Sequence, residues 1–83
     1  MTQDEIGQIV HAFIRENFIF DAQKVLVDDE SFLESGVLDS TGILELISFL
    51  GERFNVDFQD DELVADNFDS VSKVSGFIFR KKQ

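Results

Sequence analysis

Apolar residues recur with helical spacing in three separate stretches of the chain. In the first stretch they lie on one side of a helix from about Thr2 to Phe18, and Thr2 with Glu5 has the spacing of a capping box. The second stretch predicts a helix over residues 40–54. Its expected buried stripe is Ile43, Leu46, Ile47, Leu50 and Phe54. The third predicts a last helix whose apolar face is Val71, Val74, Phe77 and Ile78.

The connection between the first two helices, residues 19–38, shows no sustained period and predicts a long loop with room for a short turn at residues 29–34. Its expected apolar anchors are Leu26, Phe32 and Leu33. No strand alternation or internal repeat competes with helix. The pattern therefore predicts an all-α bundle of three main helices plus one short helix, with a long first loop, in a single domain over residues 1–83.

The short helix is predicted from residue 60 to about residue 66, because three acids in its first turn would complement the helix dipole. Asn67 is expected to end it. Asp69 or Ser70 is expected to cap the last helix, whose final turn holds the cations Arg80, Lys81 and Lys82.

The composition argues against several classes of function and partner. The 83 residues have room for one modest core and no deep enzymatic cleft, and the net charge of −10 argues against nucleic acid and anionic membranes as partners. No apolar run exceeds three residues, so neither a signal peptide nor a membrane span is expected, and the cytoplasm is the predicted location. There is no cysteine for a disulfide or a thiolate metal site. A monomer is expected, since no long coiled-coil seam is present.

One serine stands at the start of the second helix. The segment 36–40, Gly-Val-Leu-Asp-Ser, places Ser40 at this helix start. Its hydroxyl is expected to be exposed, and another protein could modify it. A polar face runs from it along the helix through Thr41, Glu45, Ser48 and Glu52. Leu44 and Phe49 lie outside the centre of the buried stripe and are expected to be partly exposed. From the residues alone, Asp39 and Ser40 could equally be helix-capping residues beside a solvated face.

The segment Gly36 to Ser40, followed by Ile43, Glu45, Leu46, Leu50 and Phe54, resembles the modification site and second helix of acyl carrier proteins. The resemblance implies that a phosphopantetheinyl transferase attaches 4′-phosphopantetheine from coenzyme A to Ser40. The arm would then hold an acyl or aminoacyl cargo as a thioester, and the chain would be a non-catalytic carrier. Asp39, which precedes the serine in the family motif, is implicated in the transferase reaction, although it could also be an N-cap.

The resemblance also implies partners and a docking surface. The partners would be an acyl- or aminoacyl-adenylating ligase or an acyltransferase, and downstream enzymes of fatty acid, polyketide or nonribosomal peptide biosynthesis. They would dock on Thr41, Leu44, Glu45, Ser48 and Glu52. Thr41-Gly42 and the sparse acids depart from fatty-acid-synthesis carriers, so the segment looks closer to free-standing carriers of specialised pathways. Gly42 either lets a partner approach the serine or is merely tolerated in a first helical turn.

Three other functions compete. A hydrolase would need a base for Ser40, and the only histidine, His11, is expected on the solvated side of the first helix. The acidic clusters at residues 28–30 and 60–62 lack the ligand spacing and central glycine of an EF-hand, so no metal site is predicted. The main alternative is an acidic helical protein-interaction domain with no prosthetic group, for which Ser40 would be dispensable.

Overall fold

A computed structural model describes residues Met1–Gln83. Helix α1 covers Gln3–Phe18, α2 Phe32–Ser35, α3 Ser40–Phe54, α4 Ala65–Phe68 and α5 Val71–Lys81, with a 3₁₀ turn at Asp60–Glu62. This arrangement confirms the predicted all-α, acyl-carrier-like bundle, with short helices in both long connections. None of the helices has the length and apolar character needed to cross a membrane.

Helix α1 begins as its sequence predicts. The Glu5 N–H donates to Thr2 Oγ1 at 3.2 Å and the Thr2 N–H donates to Glu5 Oε1 at 2.9 Å, so the capping box is complete. The hydrogen bonds from the Thr2 backbone and side chain lower the pKa of Glu5 below its ordinary value. Helix α1 packs along α5.

The core lies where α1, α3 and α5 meet, and it also takes in side chains from the connections. Phe13 of α1 stacks on Phe49 of α3 with ring centroids 4.0 Å apart. Fourteen buried apolar side chains form a single cluster: Ile6, Val10, Ile14, Leu26, Phe32, Leu38, Leu46, Leu50, Phe54, Phe68, Val71, Val74, Phe77 and Ile78. Burial of this cluster is the main stabilising contribution to the bundle. Of the stripe predicted on α3, Ile43 and Ile47 are only half-buried.

Hydrogen bonds from α1 and α5 hold the long loop against the bundle. Arg15 of α1 donates to the Lys24 carbonyl, and the Ser72 N–H of α5 donates to the Asp28 carbonyl at 2.9 Å. Leu26 and Phe32 are buried as predicted, but Leu33 is 44% exposed, so its prediction as an anchor is wrong. Leu33 instead lies on the outer side of the single turn of α2.

The predicted short helix over residues 60–66 is wrong in its bounds, because the helical conformation is interrupted at Val64, whose backbone is extended. Glu62 accepts a hydrogen bond from the Gln59 N–H at 2.8 Å and closes a 3₁₀ turn. Asn67 does not end a helix there. It lies within α4, and its side-chain amide donates to the Glu62 carbonyl at 2.8 Å, joining the two short elements.

The cations at the carboxyl end of α5 make specific contacts in addition to complementing its dipole. Lys81 pairs with Glu62 at 2.8 Å, which ties the 3₁₀ turn to α5. Lys82 donates to the Phe54 carbonyl at 2.9 Å and satisfies one of the free carbonyls at the end of α3. The Gln59 N–H and the Lys81 ammonium together lower the pKa of Glu62.

Candidate functional site

Ser40 is the first residue of α3 and is exposed to solvent. The residue before it, Asp39, is the N-cap, and its carboxylate accepts a hydrogen bond from the Gly42 N–H at 2.8 Å. Of the two functions left open for Asp39, the structure shows the capping one. Because Asp39 supplies the cap, the hydroxyl of Ser40 is not needed to begin the helix and remains available for chemistry.

The amino end of α3 still has hydrogen-bonding capacity. The Gly42 N–H is taken by the Asp39 side chain and the Ile43 N–H by the Asp39 carbonyl at 3.0 Å, whereas the N–H groups of Ser40 and Thr41 have no partner in the chain. Both of these residues are exposed. Two free donors at the positive end of a helix dipole suit an anionic group attached to Ser40.

The segment that precedes Ser40 is held by two backbone hydrogen bonds to carbonyls of α2. Gly36 caps α2 with φ 78°, a left-handed conformation that glycine adopts at little cost, and its N–H donates to the Leu33 carbonyl at 3.3 Å. Two residues later the Leu38 N–H donates to the Phe32 carbonyl at 3.1 Å. The side chain of Leu38 is buried, so the chain enters α3 from a fixed point.

Gly42 lies in a closely packed part of the first turn of α3. It is buried, and a Cβ added there would lie 3.1 Å from Leu38 Cδ2 and 3.3 Å from Phe18 Cε1. Gly42 therefore lets the end of α1 and the entry segment pack closely on the first turn of α3. A side chain at this position would require Leu38 and Phe18 to shift by a few tenths of an ångström.

A shallow, mostly apolar groove of about 170 Å³ lies beside Ser40. It is lined by Leu33, Ser40, Ile43, Ile47, Leu63, Val64, Ala65, Phe68 and Asp69. The lining joins α2, α3 and the connection that contains α4, three parts of the chain separated widely in sequence. Its volume is that of only about five or six water-sized groups.

The predicted docking residues all lie on the solvent side of α3. Thr41, Leu44, Glu45, Ser48 and Glu52 are exposed, and Leu44 is 65% exposed although it is a large apolar side chain. Phe49, at the edge of this face, is half-buried by its stack on Phe13. The face therefore combines two carboxylates with one prominent apolar side chain.

His11 is not a solvated surface residue, and that prediction is corrected. It is half-buried, and its Nε2 lies 3.2 Å from the Leu26 carbonyl of the long loop. It lines a separate groove between α1 and α5 that includes Asp28 and Ser72 and excludes Ser40. The structure thus gives His11 a contact that holds the loop and does not place it with Ser40.

One carboxylate in each of the two acidic clusters is paired with a lysine. Glu30 lies 2.7 Å from Lys24, and this hydrogen-bonded pair is the main cause of a pKa below the ordinary value for Glu30. Glu62 of the second cluster pairs with Lys81 in the same way. The first contact joins two residues of the long loop, and the second fastens the 3₁₀ turn to α5.

Asp69 and the rim of the groove were not found from the sequence. Asp69 was one of two predicted caps for α5, but the cap is Ser70, whose Oγ accepts from the Lys73 N–H at 3.1 Å. Asp69 instead faces the start of α2 and lines the groove beside Ser40. Local spacing could not reveal this, because its partners lie 36 and 38 residues away along the chain.

The chain is similar in sequence to known carrier proteins. No model of a protein family matches the chain. It is similar to the D-alanyl carrier protein of Streptococcus suis strain 98HAH33, with 31% identity over 70 residues that cover 84% of this chain and 86% of the relative. It is likewise similar to the D-alanyl carrier protein of Streptococcus sanguinis strain SK36, with 34% identity over the same shares of both chains.

Proposed function

The chain belongs to the family of phosphopantetheine-type carrier proteins that includes the D-alanyl carrier proteins, and on this premise we propose that Ser40 is its attachment site for 4′-phosphopantetheine. Proteins of this family are carriers and not enzymes, so the chain holds a cargo and presents it. The observation that supports Ser40 most directly is its exposed hydroxyl at the first position of α3, with the cap supplied by Asp39.

The residues around Ser40 fit such an arm. A phosphodiester on the Ser40 hydroxyl would have the unpaired N–H groups of Ser40 and Thr41 as donors, and the apolar groove beside the serine offers cover for the methyl-bearing part of the arm. When bound, the arm supplies the thiol that carries the cargo as a thioester. The chain itself has no cysteine, so all thiol chemistry depends on this group.

For the cargo we propose an aminoacyl group, with D-alanine as the first to test, loaded by an adenylating ligase. The similar proteins are named as D-alanyl carriers, and the Thr41-Gly42 pair already separates this chain from fatty-acid-synthesis carriers. Because such a ligase consumes ATP and the transferase consumes coenzyme A, the proposal places the chain in the cytoplasm. Since the sequence has no long coiled-coil seam, the chain is proposed to act as a monomer.

The partners of the proposed cycle are a phosphopantetheinyl transferase, the ligase and a downstream acceptor enzyme. We propose that they dock on the exposed face of α3 formed by Thr41, Leu44, Glu45, Ser48 and Glu52. Its carboxylates would steer basic partner surfaces, while Leu44 would supply apolar contact. With a net charge of −10, the chain as a whole adds to this attraction.

The proposal is tested by incubating the purified chain with coenzyme A and a broad-specificity phosphopantetheinyl transferase, followed by intact-mass measurement. We expect the gain of one phosphopantetheine on Ser40, located by peptide fragmentation, and none on the Ser40→Ala variant. Ser72→Ala is the matched control, because Ser72 is a half-buried serine of α5 that lies outside the docking face. Unmodified wild-type protein alongside a labelled control carrier would favour the interaction domain without a prosthetic group.

A further inference from the structure

Asp69 makes three hydrogen bonds to three consecutive residues at the start of α2. Its Oδ2 accepts from Ser31 Oγ at 2.5 Å, its Oδ1 accepts from the Leu33 N–H at 3.0 Å, and its carbonyl accepts from the Phe32 N–H at 2.8 Å. Asp69 itself follows α4, far along the chain. One residue therefore joins two remote connections of the bundle.

These contacts complete the first turn of a helix that cannot be stable alone. Helix α2 has four residues, whereas isolated helices shorter than about 12–15 residues are marginal in water. Ser31 Oγ accepts from the Glu34 N–H at 3.1 Å, and Asp69 takes the N–H groups of Phe32 and Leu33. Every donor of the first turn is thus satisfied. Asp69 accepts from two of them, one through its side-chain carboxylate and one through its backbone carbonyl.

The position of α2 is transmitted to Ser40 through a short series of contacts. The Phe32 carbonyl accepts from the Leu38 N–H at 3.1 Å, and the buried Leu38 side chain packs against Gly42 in the first turn of α3. Ser40 lies between Leu38 and Gly42. Asp69 also lines the groove beside Ser40, so the residue that anchors α2 borders the site directly.

We propose that Asp69 is a positioning residue for the modification of Ser40. By holding α2 it fixes the entry segment 36–39, and therefore the direction in which the Ser40 hydroxyl is presented to the transferase. This inference rests on the proposed function of Ser40. It adds a residue whose contribution is made by holding α2 in place.

The test compares Asp69→Ala with wild type in transferase kinetics, at a temperature where circular dichroism shows both to be folded. We expect kcat to fall by about 10- to 100-fold, because misplacing a reacting group by about 1 Å has effects of this size. The KM for the carrier should change little, since the docking face on α3 is untouched. Asp69→Asn should restore part of the rate, because its amide oxygen can still accept from the Leu33 N–H.

Two further variants separate positioning from charge and from folding. Asp66→Asn removes the same charge from an exposed residue of α4 and should leave the rate unchanged. Ser31→Ala deletes one contact of Asp69 and should have an intermediate effect, which keeps the test decisive if Asp69→Ala does not fold.

Hydrogen exchange measured on the unmodified chain gives a readout independent of modification. The Leu38 amide, which donates to the Phe32 carbonyl, should exchange about tenfold faster in Asp69→Ala than in wild type. If the wild type is modified and Asp69→Ala has the same kcat, or the same exchange rate at the Leu38 amide, this inference is overturned. The proposed function of Ser40 is not affected by that result. A wild type that takes no phosphopantetheine would overturn both this inference and the proposed function.

Discussion

Phe68 packs in the core beneath the groove. Comparing its truncation with that of Leu44 on the docking face should separate effects on stability from effects on docking. The ring is 1% exposed and meets Phe58 and Phe77 edge to face, with centroid distances of 5.5 and 5.4 Å. It also lines the groove beside Ser40. Phe68→Ala therefore removes core packing and, at the same time, one wall of the proposed site.

The expected loss of stability is large for a chain of this size. Truncating a buried phenylalanine to alanine costs about 3–5 kcal/mol, a figure that includes its two aromatic contacts. Domains gain about 0.05–0.15 kcal/mol per residue, so 83 residues correspond to about 4–12 kcal/mol in total. Each kcal/mol shifts the Tm of such a domain by about 4–8 °C, and we therefore expect a fall of roughly 12–40 °C.

The assay is thermal and urea denaturation followed by circular dichroism, with Leu44→Ala as the matched control. Leu44 is a large apolar residue that is 65% exposed, so its truncation should change the free energy of unfolding by no more than about 0.5 kcal/mol. In the transferase reaction Leu44→Ala should raise the KM for the carrier. A loss below about 1 kcal/mol for Phe68→Ala would refute the assignment of Phe68 to the core.

Two further predictions concern charge. Reversing Glu45 and Glu52 to Lys should slow association with partner enzymes and flatten its salt dependence, while the Tm changes little, because both carboxylates are exposed; stopped-flow binding across a salt series checks this. The pKa of Glu62 is lowered from 4.5 by the Gln59 N–H and by Lys81, so its contribution to stability is present above about pH 4.5 and is lost as pH falls through the lowered value. Glu62→Gln should therefore lower the Tm at pH 7 and weaken its dependence on pH below 4.5, as a pH series of melting curves would show.

The three long helices could be predicted from the sequence because local signals in each one mark its ends and its buried face. The capping box at Thr2, the N-cap at Asp39 and the αL residue Asn55 at the end of α3 are all local signals, and the apolar periodicity agrees with them. The position of Ser40 at the helix start likewise follows from the residues on either side of it, whereas its assignment as an attachment site comes from the resemblance to acyl carrier proteins.

Helix α2 and the 3₁₀ turn could not be predicted with correct bounds, because their stability comes from contacts remote in sequence. Helix α2 depends on Asp69, and the 3₁₀ turn at Asp60–Glu62 is tied to α5 by Lys81. His11 was assigned to solvent for the same reason, since its partner is a loop carbonyl 15 residues away. A helical period describes one element at a time and contains no information on which loop will cover it.

The same distinction explains how the site is built. The hydroxyl, its cap and its free N–H donors come from four consecutive residues, so the chemistry of attachment is local to residues 39–42. The groove and the fixed entry into α3 come from α2 and α4, which Asp69 joins. A change confined to the docking face should therefore affect partner choice, whereas a change at Asp69 should affect how well any transferase finds the hydroxyl. Measuring both kinds of variant with two different transferases would show whether presentation and recognition are separable in this carrier.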